Sequence, residues 1–149
     1  MLEREEQVAV KKAFDHIGII TLEPQPGEAW VPESRVWVTN PRRHPQRIEY
    51  VRPKQMPSIP PDQEGLWKLW HWPHIAYRVE DLRAALDGGG RSDRRAGSVV
   101  LGPFFPAPFV EVAFVYQNGV VVEYMEYVEL DHWFGQPNPP DFRHEPLIE

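Results

Sequence analysis

The stretch GVVVEYMEYV, residues 119–128, places one carboxylate, that of Glu123, directly behind three consecutive valines. Valines followed by tyrosines and a methionine predict a buried strand. Glutamate is rarely fully buried unless a partner compensates its charge, because an unpaired buried charge costs on the order of several kcal/mol. The pattern therefore predicts that another part of the chain supplies a partner for Glu123.

The residues that surround this strand predict a mostly β second half. Asn118-Gly119 is a strong signal for a two-residue hairpin turn, so the strand before it should fold back onto the strand after it. The stretch EDLRAALDGGG (80–90) has apolar residues on one helical face and ends in glycines, which predicts a short helix. The other predicted strands of this half are HIAYRV (74–79), SVVLGPF (98–104) and PFVEVAFVY (108–116).

The first half is predicted to be strands joined by loops. Its strands are FDHIGIIT (14–21), RVWVTN (35–40) and RIEYVRP (47–53), the last two forming an antiparallel pair. LEPQPGEAWVP (22–32) is predicted to be a loop, KQMPSIPPDQEGLWKLWHWP (54–73) a long crossover, and the proline-rich end of the chain irregular. We expect one α+β domain, divided into a first module at about 13–53, a crossover at 54–73, a second module at about 74–128 and a tail at 129–149.

An internal repeat links the two halves. DHIGI (15–19) and PHIAY (73–77) share a histidine, an isoleucine and a small residue at a strand start, while IEYV (48–51) and VEYM (122–125) share a glutamate before a tyrosine. Two copies of one unit in a single sheet bring equivalent positions together about a pseudo-two-fold axis. We therefore expect four side chains to converge, those of His16, Glu49, His74 and Glu123. One divalent cation held by all four would compensate the charge of Glu123.

Each residue also has a simpler interpretation when it is taken alone. A histidine at a strand start is often a hydrogen-bonded core residue, and Glu49 could form an exposed ion pair with Arg47 or Arg52. His71 competes with His74 as a ligand through the H-x-x-H spacing. We favour His74 because it begins the strand that corresponds to HIGI.

At these residues the chain resembles the vicinal oxygen chelate superfamily, which includes glyoxalase I, methylmalonyl-CoA epimerase, extradiol dioxygenases and bleomycin resistance proteins. HIAYRVEDLRAAL and VAFVYQNGVVVEYME carry the resemblance most strongly. It implies paired βαβββ modules that form a U-shaped mixed sheet around a metal, with ligands at His16, Glu49, His74 and Glu123. The first module departs from the pattern. It separates its histidine and glutamate by 33 residues, against 49 in the second, and a proline-bearing loop replaces the helix expected after HIGII.

Two histidines and two glutamates suit one Zn²⁺, Ni²⁺, Co²⁺, Mn²⁺ or Fe²⁺ ion per site. The hypothesis that follows is a metal-dependent isomerase, epimerase or lyase that acts through an enolate-type intermediate on a small oxygen-chelating substrate. Either Glu49 or Glu123 could be the catalytic base. Two alternatives stay open, a non-catalytic small-molecule binding or resistance protein of the same fold and an iron-dependent dioxygenase. A dioxygenase would typically use two histidines and one carboxylate.

The composition restricts the partners and the cell compartment. The 149 residues carry a net charge of −6, which disfavours nucleic acid and anionic membrane surfaces as partners. The absence of cysteine excludes disulfides and sulfur-ligated metals. The N-terminal residues show no apolar signal region, so we expect a cytoplasmic protein. The resemblance and the apolar surface of the crossover and tail predict a homodimer.

Overall fold

The structure is a computed structural model that describes residues 10–54, 64–87 and 98–149. The strands are β1 (Lys12–Ile20), β2 (Ala29–Val31), β3 (Val36–Val38), β4 (Ile48–Pro53), β5 (His74–Val79), β6 (Ser98–Ala107), β7 (Val110–Gln117) and β8 (Val120–Tyr127). The helices are α1 (Glu64–His71) and α2 (Leu82–Leu86), and a 3-10 turn covers Pro41–Arg43. The expected α+β class with a mixed sheet is confirmed.

All eight strands form one sheet in the order β2-β3-β4-β1-β5-β8-β7-β6. β1 and β5 lie antiparallel at its centre. β4 lies parallel to β1 on one side, and β8 lies parallel to β5 on the other. The first and last strands of each half are therefore neighbours. The sheet curves until it is nearly closed, since residues of β2 and of β6 line the same cavity.

The hairpin predicted at Asn118-Gly119 is present. Both residues have positive φ, 53° and 82°, as a type I′ turn requires. The β7–β8 ladder continues from the turn to the pair Val110 and Tyr127. The sheet is covered on both sides here, which explains why the strand is a nearly continuous apolar run.

Two apolar clusters lie on the two faces of the sheet. Val121 and Met125 of β8 belong to the cluster on the concave face, together with residues of β2, β3 and β4. Val122 and Tyr124 belong to the cluster on the convex face, where Leu82 of α2 is fully buried. No helix occurs between β1 and β2, where residues 21–28 are all described.

Two predicted loops contain regular structure. The loop predicted at 22–32 includes β2, which pairs along its whole length with β3. The pattern missed it because three residues between proline and glycine are too few for a periodic signal. The crossover at 54–73 includes α1, whose Leu66, Leu69 and Trp70 are buried. Residues 55–63 of that crossover lie outside the described residues.

The tail contains no helix or long strand, as its prolines predict. It packs on its own chain: the backbones of Ile148 and Lys12 exchange two hydrogen bonds of 2.8 and 2.9 Å, and Trp133 is only 2% exposed. The tail therefore packs partly on its own chain, although Ile148 is 64% exposed. The homodimer stays a prediction. Neither helix in the described residues has the length and apolar character needed to cross a membrane.

Candidate metal centre

The structure brings the four predicted residues together. His16 lies on β1, Glu49 on β4, His74 on β5 and Glu123 on β8, which are the four central strands of the sheet. All four side chains are buried. One nitrogen or carboxylate oxygen from each residue lies within 4.8 Å of the others. These four residues are close enough to hold a metal ion. His71 is on α1 and is not part of the cluster.

The nitrogen–oxygen distances inside the cluster are longer than those of good hydrogen bonds. Nε2 of His16 is 3.3 Å from Oε1 of Glu49 and 3.3 Å from Oε1 of Glu123. Nε2 of His74 is 3.6 and 3.2 Å from the same two oxygens. A charge-assisted N–H···O bond is shorter, at about 2.7–2.9 Å. Both nitrogens and both oxygens thus surround one small region.

Small residues opposite each histidine create the room for the imidazoles. His16 pairs with Ala76 across the β1–β5 ladder, and Gly18 pairs with His74. A Cβ on Gly18 would lie 2.0 Å from Cε1 of His74, so no larger residue fits there without moving the ring. The small residue that follows each histidine by two positions in HIGI and HIAY therefore serves the histidine of the other half.

Unpaired buried nitrogens indicate that a cation fits this cluster. Nε2 of His16 and both ring nitrogens of His74 are buried and have no hydrogen-bond partner. More than about 90% of buried polar groups in proteins have one. The Nε2 atoms face the two carboxylates, and a nitrogen and oxygen donor set of this kind suits a divalent transition metal. The residues present fit such an ion.

The members of the cluster shift one another's pKa values. Burial would lower the pKa of His16, but the carboxylate of Glu49 and the hydrogen bond that Nδ1 of His16 donates to Asp15 hold that pKa well above its usual value. The pKa of His74 is also raised, against burial, by both glutamates. Burial would raise the pKa of Glu49, yet the imidazoles hold it at about 2. The pKa of Glu123 is lowered for the same reason. A divalent cation would compensate the charges of the two glutamates in place of protons on the imidazoles.

A third carboxylate, that of Asp15, contacts the ring nitrogen of His16 that does not face the two glutamates. Nδ1 of His16 is 2.6 Å from Oδ1 of Asp15, and the hydroxyl of Tyr127 donates to Oδ2 of Asp15 at 2.9 Å. Metal-binding histidines in proteins commonly use their second nitrogen in this way, which fixes the ring and its tautomer. Burial would raise the pKa of Asp15, but His16 and Tyr127 lower it, so the carboxylate stays ionised.

A bulge in β1 explains how adjacent residues can meet. Phe14 pairs with Tyr77, and His16 pairs with the next residue, Ala76, so Asp15 has no partner on β5. In a regular strand, successive side chains point to opposite faces. One extra residue disturbs this alternation locally and re-aims a side chain. The side chains of Asp15 and His16 can therefore meet.

Arg42 offsets the charge of Asp15. It is 5% exposed and lies in the 3-10 turn between β3 and β4. Its guanidinium donates to Oδ1 of Asn138 and to the carbonyl of Leu130, and it lies over the ring of Tyr127. The tail thus supplies two acceptors for Arg42. No residue equivalent to Asp15 precedes His74, because position 73 is a proline.

An apolar cavity of about 40 Å³ adjoins the cluster. Its lining combines valines of β2, β3, β4 and β7 with aromatic residues of β6, β7 and the tail. Glu49, His74 and Glu123 also line it, as do Trp133 and Phe134 of the tail. Three of the four clustered groups can therefore contact a molecule that enters this cavity.

The residues that support the four clustered side chains carry little signal in the sequence. Asp15 stands beside His16 in DHIGI, and the frequent pairing of such histidines with carboxylates could have identified it. Tyr127 and Arg42 carry no local signal, because they are brought to Asp15 only by the fold. Trp133 also carries no local signal, because the proline-rich sequence around it predicts an irregular tail.

The sequence matches no protein-family model and no curated protein. Among solved structures, the chain is similar to the hypothetical protein BH1468 from Bacillus halodurans C-125. The two share 20% identity with a TM-score of 0.56, and the match covers 79% of this chain and 96% of the other. At this identity the similarity concerns the fold alone.

Proposed function

We propose that the protein is a metal-dependent isomerase, epimerase or lyase that moves a proton at a carbon atom next to a carbonyl group. The observation that supports this proposal most is the set of four buried donors within 4.8 Å of one another, two of which are imidazole nitrogens without a partner. A cluster built only to stabilise the fold would be expected to pair these atoms.

The arrangement of the strands also supports the proposal. In the vicinal oxygen chelate superfamily, which the sequence resembles, ligands come from the first and last strands of two paired modules. Here the histidines are on β1 and β5, and the glutamates are on β4 and β8. These are the first and last strands of each half of the sheet. We propose that the halves are such modules, the first without its helix.

His16, Glu49, His74 and Glu123 would hold the ion, and Asp15 would keep the His16 ring in place. When bound, a divalent cation supplies Lewis-acid stabilisation of the negative charge that develops on a carbonyl oxygen. Glu49 and Glu123 are the carboxylates beside the cavity. One of them takes the proton from the substrate carbon, and the same or the other returns it. Two bases on different sides would give epimerisation, and one base would suit isomerisation or elimination.

The cavity walls would exclude water from this step. Most of its lining side chains are aliphatic or aromatic, including Val110 and Val112, which are each 1% exposed. Exclusion of water strengthens the electrostatic interactions between the cluster and a developing charge.

The test is hydrogen exchange by the metal-loaded protein. Purified protein is incubated in D₂O with 2-hydroxy, 2-oxo and branched acyl-thioester compounds, after its metal content has been measured. Deuterium should enter the α-position faster than with the metal alone. In Glu123→Gln or Glu49→Gln, the exchange rate should fall about 10²–10⁴-fold in the variant that lacks the base.

Glu111→Gln is the matched control. Glu111 lies on β7 and pairs with the exposed Arg83, outside the cluster, so its replacement should leave metal content and exchange unchanged. Exchange that survives in the Glu49→Gln, Glu123→Gln double variant would show that neither glutamate is the base. Exchange no faster than with free metal across the panel would contradict an enzymatic role.

A second candidate is a protein that binds a small molecule without converting it. The observation that favours it is the lack of a helix between β1 and β2, where the resemblance implies one. Tight binding of chelating compounds without exchange would select this function. An iron-dependent dioxygenase is less favoured, because the fourth donor, Glu49, lies in the cluster.

A further inference from the structure

Trp133 has an unused hydrogen-bond donor beside the cavity. Its side chain is 2% exposed and lines the cavity next to the cluster. Its Nε1 is buried and has no partner among the described residues. A buried indole N–H usually finds an acceptor, because leaving it unpaired costs about 1–3 kcal/mol.

Neighbouring rings fix the position of this donor. The Trp133 ring packs against Phe109 and Phe134, with centroids 5.8 and 5.6 Å away, and meets the imidazole of His16 edge-on at 5.9 Å. The guanidinium of Arg42 lies 5.7 Å from the ring centroid. These contacts on several sides leave the indole little freedom to turn toward another acceptor.

The rest of the cavity offers a ligand almost no polar contact. Among the described residues that line it, none is lysine or arginine, and apart from the cluster and Trp133 only Ser34 is polar. Glu49 and Glu123 would repel an anionic group that is not bound to the metal. A carboxylate or phosphate inside these walls would therefore lose its hydration without gaining a partner.

The size of the cavity sets a further limit. The cavity measures about 40 Å³, so the part of a ligand that enters it must be small. A large body such as a nucleotide or a peptide does not fit within it.

We propose that the ligand of this cavity is a small molecule with an uncharged, apolar body, and that an oxygen of its chelating head accepts a hydrogen bond from Nε1 of Trp133. The proposal rests on the proposed metal site, and it names the substrate class of that site. Trp133 would thus be a specificity-determining residue supplied by the tail.

The test uses the full chain loaded with Zn²⁺ and two hydroxamates of matched shape. 4-Methylpentanohydroxamate ends in an isopropyl group, and succinic monohydroxamate ends in a carboxylate of similar size. Calorimetry should show at least about tenfold tighter binding of the uncharged probe, because the other must bury an unpaired charge. Equal or tighter binding of the succinic probe, or binding of neither, would overturn the proposal.

The role of Trp133 is tested by NMR of its indole. In protein labelled with ¹⁵N-tryptophan, the Nε1–H signal that is missing from Trp133→Phe identifies the residue. This signal should move downfield when the uncharged probe saturates the wild-type protein. An unmoved signal would remove Trp133 from the proposal. If Trp133→Phe does not fold, the signal can be assigned in the wild-type chain by triple-resonance experiments.

A second tryptophan provides the control. Trp70 is buried outside the cavity, and its Nε1 already donates to the carbonyl of Ser34 at 2.8 Å. Trp133→Phe should weaken the uncharged probe about 2- to 10-fold, the range for one neutral hydrogen bond. Trp70→Phe should leave the affinity unchanged, and equal losses in the two variants would contradict a specific contact.

Failure of this inference can be distinguished from failure of the proposed function. Binding of the uncharged probe without deuterium exchange in the earlier panel would retain the ligand class and remove the enzyme. Deuterium exchange together with tighter binding of charged compounds would retain the enzyme and remove the ligand class. If the protein binds none of Zn²⁺, Ni²⁺, Co²⁺, Mn²⁺ and Fe²⁺, both proposals are wrong.

Discussion

Replacement of Gly18 by alanine should displace His74 from the cluster. A Cβ at this position would lie 2.0 Å from Cε1, 2.4 Å from Nδ1 and 2.5 Å from Nε2 of that imidazole. Real Cβ atoms almost never lie under 3.0 Å from a neighbour, and ordinary contact begins at 3.4 Å. The ring must therefore retreat by about 1.0–1.4 Å. Metal–ligand distances tolerate only about 0.2 Å. Gly18→Ala should therefore cost the site one of its four donors.

The effect on stability should change sign with the residue at position 74. Forcing a methyl group into a packed site typically costs about 1–3 kcal/mol. Without the imidazole, alanine should be better than glycine within a strand by about 0.5–1 kcal/mol. Gly18→Ala should thus destabilise the wild-type chain and stabilise the His74→Ala variant. The coupling energy between the two positions is then about 1.5–4 kcal/mol.

The assay is a double-mutant cycle with two measurements. Urea unfolding of the four metal-free proteins gives the coupling energy, and competition with a chromogenic chelator gives the Zn²⁺ affinity. Ala76→Gly is the control, since it enlarges the equivalent space opposite His16 and creates no clash. The same cost of Gly18→Ala in both backgrounds, or unchanged Zn²⁺ affinity, would refute the reasoning.

Three further predictions concern protons, Asp15 and assembly. Because the pKa values of His16 and His74 are raised in the metal-free protein, a metal ion must compete with protons for these imidazoles at higher pH than it would for free histidine. Calorimetry in buffers of different ionisation enthalpy should show protons released as the ion binds, and the affinity should increase with pH; an affinity that does not change with pH would contradict this. Asp15→Asn should weaken metal binding about 10–100-fold in chelator competition, whereas an unchanged affinity would show that Asp15 does not support the site. Light scattering at micromolar concentration should give the mass of a homodimer, and a monomer mass would exclude it.

The apolar pattern of the sequence was sufficient to predict the central strands, and the internal repeat was sufficient to predict the four clustered residues. The repeat of HIGI in HIAY, and of IEYV in VEYM, reflects positions that the fold makes equivalent. Glu123 could be recognised because its apolar neighbours predict a buried strand, and a buried carboxylate needs a partner. The hairpin at Asn118-Gly119 was predicted because few residue pairs adopt positive φ twice in succession.

The remaining features depend on contacts between distant parts of the chain. β2 has only three residues, and its identity as a strand comes from pairing with β3 rather than from its own pattern. Arg42 reaches Asn138 across 96 positions of sequence, and no spacing rule relates such residues. Trp133 lies among prolines and glycine, which suggest an exposed loop, yet the fold buries its indole.

The extra residue in β1, Asp15, can be removed without changing how the rest of the strand pairs with β5. Removal of Asp15 from the chain would leave Phe14 paired with Tyr77 and His16 paired with Ala76, so the two strands would meet in an uninterrupted ladder. No neighbouring residue would change its partner on β5. A one-residue deletion, usually among the most disruptive changes in a strand, would here give a more regular sheet that lacks only the carboxylate behind His16. The two halves of the molecule would then have equally unsupported histidines.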